Sequence, residues 1–480
     1  MTAADFIALS PWLVLMAAAL VLLLVISFYR SHRLTVVLTV LGLVFALASI
    51  PYAAQEAPRM VTPLLSVDGF SLYFLALILL AALAVVLLAY GYTASREAPR
   101  EEFYLLLLIA TLGAAVLVGA THYASLLLGL ETLSVALFAL AAYYVFRDRP
   151  MEAGIKYLIL AGVAVAFLLF GVALIYARTG SLELGALTEA AATGAVDVYL
   201  ATGIGLVIVG LAFKLSLVPF HLWTPDVYEG APPPVAAFLA TVSKGAAFAV
   251  VMRFLLATEA HAVPSLLAAL TLIGLATMLA GNLLALLQDD LKRILAYSSI
   301  AHMGYLLVPL AGGGELGIET VGYYLAAYFV MNLAAFGVVT QLEAEEGGEQ
   351  HDLTRYRRLL WRRPLLATVL AAALFALAGM PLTVGFIAKF YLFAAGVDGG
   401  LWLLLAALVI GSAIGLFYYL RVVLYLVATD SFYESVGRPR PGVWAGHATL
   451  WLLLALLVVF GVYPAPLIGW VRGSALSMIS

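Results

Sequence analysis

The strongest constraint on this chain is a succession of apolar runs, each about as long as a bilayer is thick. A spanning α-helix needs about 20 predominantly apolar residues. Such runs fall at roughly 12–29, 34–50, 70–92, 103–119, 123–146, 157–177, 198–224, 235–256, 264–287, 294–311, 318–342, 364–393, 401–427 and 447–470. They predict an all-α integral membrane protein of about fourteen transmembrane helices. The connecting segments are short, and none is long enough for a soluble domain. Hydrophobic residues make up 65% of the chain and charged residues 11%, against about half and about a quarter in a soluble domain. One soluble core cannot hide that surplus, so lipid must solvate much of the surface. The absence of cysteine excludes disulfides, Cys-ligated zinc and iron–sulfur clusters within this chain. No HExxH pair or carboxylate cluster predicts a metal site, and no GxGxxG fingerprint predicts a bound dinucleotide. A net charge of −3 gives no reason to expect nucleic acid as a partner. The N-terminus lacks the basic region of a cleaved signal peptide, so the first run reads as a retained helix.

Basic residues set the expected orientation. If the N-terminus is outside and the spans alternate, the inner loops carry Arg30, Arg33, Arg96, Arg100, Arg147, Arg149, Lys292, Arg293, the cluster from Arg355 to Arg363, Arg438 and Arg440. Arg421 lies in a span near its inner end. The outer side holds only Arg59, Arg178, Arg253 and Arg472. That partition follows the positive-inside rule and predicts both termini on the outer, periplasmic side.

The five lysines behave differently. Lys292 reads as a loop residue and Lys156 as lying at the inner mouth of a helix. Lys214, Lys244 and Lys389 fall within apolar spans, where a charge costs at least about 2.5–3.5 kcal/mol. Arginine stays protonated in proteins, whereas a lysine taken out of water can give up its proton. Glu131, in SLLLGLETLSVALFAL, is the one acidic residue expected deep inside a span. One carboxylate cannot neutralise three ammonium groups, which points to a hydrated interior path. The bland reading is a set of ion pairs that hold helices together, and Lys156 can simply snorkel. His221 and His302 are the histidines placed inside the membrane. His221 follows Lys214 by seven residues, about 10.5 Å along a continuous helix, and histidine is suited to relaying protons near neutral pH.

Two segments interrupt their own helices. FKLSLVPFHLWTPDVYEGAPPPV holds Pro219, Pro225 and Pro232–Pro234; LAGMPLTVGFIAKF holds Gly379, Pro381 and Gly385. Proline removes a backbone donor, and the freed carbonyls must be met by protein or water. Lys214 precedes one break and Lys389 follows the other. The breaks lie five spans apart, so their helices run in opposite directions, as inverted repeats require. The predicted divisions are an N-terminal three-helix segment (1–100), two repeats (101–257 and 258–430) and a C-terminal span (431–480).

At these residues the chain resembles the antiporter-like membrane subunits of proton-pumping NADH–quinone oxidoreductase, respiratory complex I. KLSLVPFHLWTPDVYEGAPPPVAAFLATVSKGAAF, EAGIKYLILAG, DLKRILAYSSIAHMGYLL and LAGMPLTVGFIAKFYLF carry the likeness, from about residue 103 to 425. The first hundred residues match only in hydropathy. DVYEGAP, FLATVSK and a lysine at 389 favour the subunit N branch over M and L. The resemblance implies two inverted five-helix repeats within fourteen helices, and a proton path through Glu131, Lys214, Lys244 and Lys389. Lys156, His221 and His302 fall on further polar positions of that path. It also implies no cofactor in this chain, with NADH, flavin, iron–sulfur clusters and quinone in partner subunits, and a bacterial inner-membrane location. The partners implied are neighbouring complex I membrane subunits, the lipid bilayer and protons. A subunit of a multisubunit sodium/proton antiporter is the alternative reading.

Overall fold

The computed structural model describes residues 2–475 except 97, 145–147, 187–196, 258–263, 347–351 and 430–442. Arg147, Arg438 and Arg440 lie outside the described residues, as does the C-terminal end. A short helix α1 (Ala3–Ala8) precedes α2 (Ser10–Phe28) and α3 (His32–Ala53). A hairpin, β1 (Arg59–Thr62) and β2 (Leu65–Val67), leads into α4 (Gly69–Ala94), α5 (Glu101–Gly119), α6 (Tyr123–Ala141) and α7 (Asp148–Thr179). Then come α8 (Val198–Leu215), α9 (Trp223–Gly230) and α10 (Pro233–Phe238). A π-helical turn over Leu239–Ser243 joins α10 to α11 (Lys244–Ala257), followed by α12 (Pro264–Leu286), α13 (Leu291–Gly312) and α14 (Gly314–Glu346). The remainder is α15 (Leu359–Arg362), α16 (Pro364–Ala378), α17 (Val384–Asp398), α18 (Trp402–Val427), α19 (Trp444–Val462) and α20 (Ala465–Ala475).

Among the described residues, thirteen helices are long and apolar enough to cross a membrane, with Pro233–Leu255 taken as one across the π turn. The expected twelfth span is two fifteen-residue helices, α16 and α17, and with this pair the spans reach the expected fourteen. Polar caps start several of them. Asp68 accepts from the Ser71 N–H (2.7 Å) at the head of α4, and Asp197 and Asp290 do the same for α8 and α13. Such side chains satisfy donors that the first turn leaves open.

α14 is the axis of the packing. It is buried along nearly its whole length and packs against α4, α13, α16, α17 and α19. Outward faces are apolar, with Phe28, Phe45, Phe390, Phe417 and Trp451 exposed, as a lipid-facing surface requires.

Ion pairs gather at the two ends of the bundle. Asp5–Arg59, Asp68–Arg253, Arg178–Asp197 and Glu319–Arg472 lie at the end that holds the hairpin. Arg30–Glu102, Arg96–Glu343, Arg293–Glu229, Arg362–Glu346 and Arg363–Glu345 lie at the other. Every one of these pairs joins segments that strict alternation puts at the same end.

Three local expectations change. The final span ends at Val462, because Pro464 lacks the N–H that would continue it, and residues 465–475 form the separate helix α20. Lys292 is not a loop residue. It sits in the first turn of α13, 1% exposed, and donates to the carbonyls of Glu229 (2.7 Å) and Ala231 (2.6 Å) where α9 ends. His221 is not two turns along the helix of Lys214, because that helix stops at Leu215 with Ser216 in the left-handed region (φ 61°).

Candidate proton-translocation axis

Lys214 occupies the last turn of α8 and is 4% exposed. Its Nζ donates to Ser134 Oγ (2.9 Å) on α6 and to the Tyr157 hydroxyl (3.0 Å) on α7. Tyr157 is held by a parallel stack on Trp223, with ring centres 4.7 Å apart, and Trp223 Nε1 donates to the Phe213 carbonyl. The break in the chain is therefore what brings Trp223 back against the site. Glu131 lies one turn from Ser134 on α6. Among the described residues no basic group lies within 4 Å of its carboxylate, so Glu131 and Lys214 are not paired in this structure. Glu131 is half-buried, and it is not the sole carboxylate within a span. Glu319, Glu343 and Glu345 of α14 are buried, but they lie toward helix ends and pair with Arg472, Arg96 and Arg363.

Lys244 follows the π turn directly and is 1% exposed. A π-helical turn re-aims the side chains beside it and recurs at functional sites. Lys244 Nζ donates to Ser299 Oγ (2.6 Å), which also accepts from the Tyr328 hydroxyl (2.6 Å). Ser299 and His302 are three apart on α13, hence neighbours on one face. The His302 ring nitrogens bond the hydroxyls of Tyr324 (2.7 Å) and Tyr419 (3.3 Å), and Tyr419 is hydrogen-bonded to Ser298. Lys389, on α17, reaches back across the second break. Its Nζ donates to the Ala378 carbonyl (2.8 Å) at the end of α16 and lies 5.7 Å from the centre of the Tyr305 ring. Gly379, with φ 82°, makes room for it, since a β-carbon there would lie 2.7 Å from Lys389 Cδ. Pro381 follows within the same irregular turn, as Pro219 does within the first break.

Lys156 and His221 stand apart from this set. Lys156 bonds Asp226 and Glu152 (both 2.7 Å) on the surface of the bundle, and Asp226 also accepts from Arg293 (3.0 Å). Burial alone would raise the Asp226 carboxyl; the hydrogen bonds from Lys156 and Arg293 outweigh it and hold the group below its usual value. His221 is buried in the first break, and neither ring nitrogen makes a hydrogen bond of good geometry among the described residues, although the Pro219 backbone lies beside the ring. The sequence reading missed Ser134, Tyr157, Ser299, Tyr324, Tyr328 and Tyr419. Ser134, three residues after Glu131, was within reach of a helical-face argument; the others depend on how the helices pack. No group of three or more potential ligands forms a metal site among the described residues.

Buried lysines and two broken helices are the features by which the chain resembles antiporter-like membrane subunits. The family described as "NADH:quinone oxidoreductase/Mrp antiporter, TM" matches residues 120–415. Two proteins named NADH-quinone oxidoreductase subunit N are each 49% identical to the chain. That of Ectopseudomonas mendocina covers 99% of this chain and 97% of its own length, and that of Chromohalobacter salexigens covers 98% of each. The chain belongs to the NADH:quinone oxidoreductase/Mrp antiporter transmembrane family, in its NADH-quinone oxidoreductase subunit N branch. Likeness therefore extends through the first hundred residues, beyond the reach of the quoted motifs. Among solved structures, a chain of respiratory complex I from Thermus thermophilus with bound aureothin superposes with TM-score 0.82 at 36% identity, over 96% of this chain and 98% of that one. A chain of the Mrp complex from Dietzia shares the fold (TM-score 0.86, 22% identity, 99% of this chain and 97% of that one).

Proposed function

We propose that this chain is a proton-translocating membrane subunit of NADH–quinone oxidoreductase, and that its path runs through Glu131, Lys214, Lys244, His302 and Lys389. The carrying observation is that Lys214 and Lys244, both buried inside the bundle, each bond side-chain hydroxyls. A hydroxyl accepts and donates at once, so it passes a proton on where a carbonyl only holds one. The relatives at 49% identity carry the oxidoreductase name, which favours this reading over the sodium/proton antiporter. The energy comes from partner subunits, which hold the flavin and iron–sulfur clusters and pass electrons from NADH to quinone. Neighbouring complex I membrane subunits flank the chain in a bacterial inner membrane. The arginine-rich end of the bundle faces the cytoplasm and both termini face the periplasm.

The two halves, 101–257 and 258–430, act as inverted half-channels. In the first, approach of Glu131 stabilises the ammonium form of Lys214, and separation favours release of its proton toward Lys244. The structure has the two groups apart. From Lys244 the proton passes by Ser299 and His302 to Lys389, which delivers it to the outer side. His221 and Lys156 serve the path at its first break and inner mouth. Glu131→Gln keeps the shape and removes the charge. The assembled complex should then lose most NADH-driven proton translocation in reconstituted vesicles, and normal pumping would show that Glu131 is structural.

A further inference from the structure

Tyr228 is a buried titratable group that the path described above does not use. It lies on α9, is fully buried, and packs edge-to-face on Phe336 with ring centres 5.8 Å apart. Its hydroxyl makes no hydrogen bond of good geometry among the described residues, although the Ser299 hydroxyl lies beside it. Buried polar atoms are almost always bonded, so a phenol placed this way calls for an explanation. Lys244 Nζ lies 5.7 Å from the centre of its ring. Tyr157, the hydroxyl that serves Lys214, and Tyr328 and Ser299, the hydroxyls that serve Lys244, are all its neighbours. The same short helix stacks Trp223 on Tyr157. This eight-residue helix within the first break thus touches both lysine sites.

We infer that the Tyr228 hydroxyl is the relay that joins the Lys214 site to the Lys244 site. This rests on the axis proposed above and names the group that crosses its least connected step. The transfer is a balanced hop. An N–H bond of the Lys214 ammonium breaks as Tyr157 takes its proton and passes its own to the Tyr228 oxygen. The original Tyr228 O–H proton then leaves through Ser299, and an N–H bond forms on neutral Lys244. Each phenol ends neutral, and one proton has moved from one lysine to the other. The titratable groups that face Tyr228 are Tyr157 from α7, Lys244 from α11 and Tyr328 from α14, and rotation of its C–O bond lets it address each side in turn.

The test uses the complete complex in vesicles, driven by NADH and quinone, with assembly followed by co-purification. Tyr228→Phe keeps the ring packing and removes only the hydroxyl, so proton translocation should fall several-fold in an assembled complex. Normal translocation in that variant would overturn the relay. A trifluorotyrosine built in at position 228 has the same shape and a more acidic phenol, which covers the case in which Tyr228→Phe fails to assemble. A relay predicts that the alkaline limb of the pH–translocation profile moves to lower pH; a profile that superposes on the parent's would assign Tyr228 to packing alone. Lys244→Ala, measured alongside, separates the two levels. Loss there with normal Tyr228→Phe overturns only the relay, whereas normal pumping in Lys244→Ala overturns the axis and the relay together.

Discussion

The two broken helices end in the same way and then use their lysines differently. α8 closes with the Ser216 N–H donating to the Phe213 carbonyl (2.9 Å) and the Leu217 N–H to Ala212 (2.9 Å). α16 closes with the Gly379 N–H donating to Ala376 (2.9 Å) and the Met380 N–H to Phe375 (3.0 Å). Both are the paired bonds of a helix stopped by a left-handed residue, with φ 61° at Ser216 and 82° at Gly379. Lys214 precedes its cap, so it stays within the bundle and meets hydroxyls. Lys389 comes after its cap and turns back onto the Ala378 carbonyl, the negative end of the helix that has just finished. A carbonyl accepts and cannot donate. The first break therefore holds a lysine bonded to hydroxyls, while the second holds one docked on a helix end. On the proposed path, Lys389 would have to leave Ala378 before handing a proton on.

The largest expected effect tests the hydroxyl-bonded side. Lys214→Met removes the donor that Ser134 and Tyr157 share, and NADH-driven proton uptake by vesicles should be nearly abolished while the complex still assembles. Uptake at the parental rate would reduce the first break to a packing feature.

A smaller effect contrasts the two caps. Gly379→Ala puts a side chain in the left-handed region, at roughly 1–2 kcal/mol, and its β-carbon would press on the docked Lys389. Ser216 is already a non-glycine in that conformation, held by a bond from the Thr224 hydroxyl (2.6 Å). Thermal unfolding of the two variants should therefore show Gly379→Ala clearly destabilised and Ser216→Gly within about 1 kcal/mol of the parent, its relieved strain offset by lost rigidity and the lost bond. Equal losses would mean that the caps are not distinguished by what lies beside them.

The smallest effect is at Lys156. Its partners are on the surface, and exposed ion pairs are worth about 0–1 kcal/mol. Lys156→Met should leave proton translocation within about twofold of the parent, provided that Lys156 only anchors α7 to Asp226. A loss as deep as that of Lys214→Met would make Lys156 a carrier of the proton rather than a support at the inner mouth.

The spans were legible because period-free apolar runs of bilayer length have few other solutions, and the caps Asp68, Asp197 and Asp290 sit where those runs begin. The breaks were legible from proline and glycine, and three lysines from their placement in apolar sequence. The hydroxyl partners were not. Ser299 meets Lys244, and Tyr157 meets Lys214, through the mutual rotation of separate helices, which hydropathy does not encode. His221 was misplaced because a seven-residue spacing was read along a helix that Ser216 ends. Lys292 looked like a loop residue because its burial comes from two carbonyls of a distant turn, at Glu229 and Ala231.

On the proposed path protons move through lysines that cycle between ammonium and amine, and substitutions at Lys389 can separate that chemistry from fixed charge. Arginine keeps the positive charge and the bond to a helix-end carbonyl, but resists deprotonation. NADH-driven proton translocation would be compared in vesicles holding the parent, Lys389→Arg and Lys389→Ala complexes, with assembly checked first. The account predicts that Lys389→Arg is blocked nearly as severely as Lys389→Ala. Translocation at the parental rate in Lys389→Arg would contradict it, by showing that the second break needs only a fixed charge.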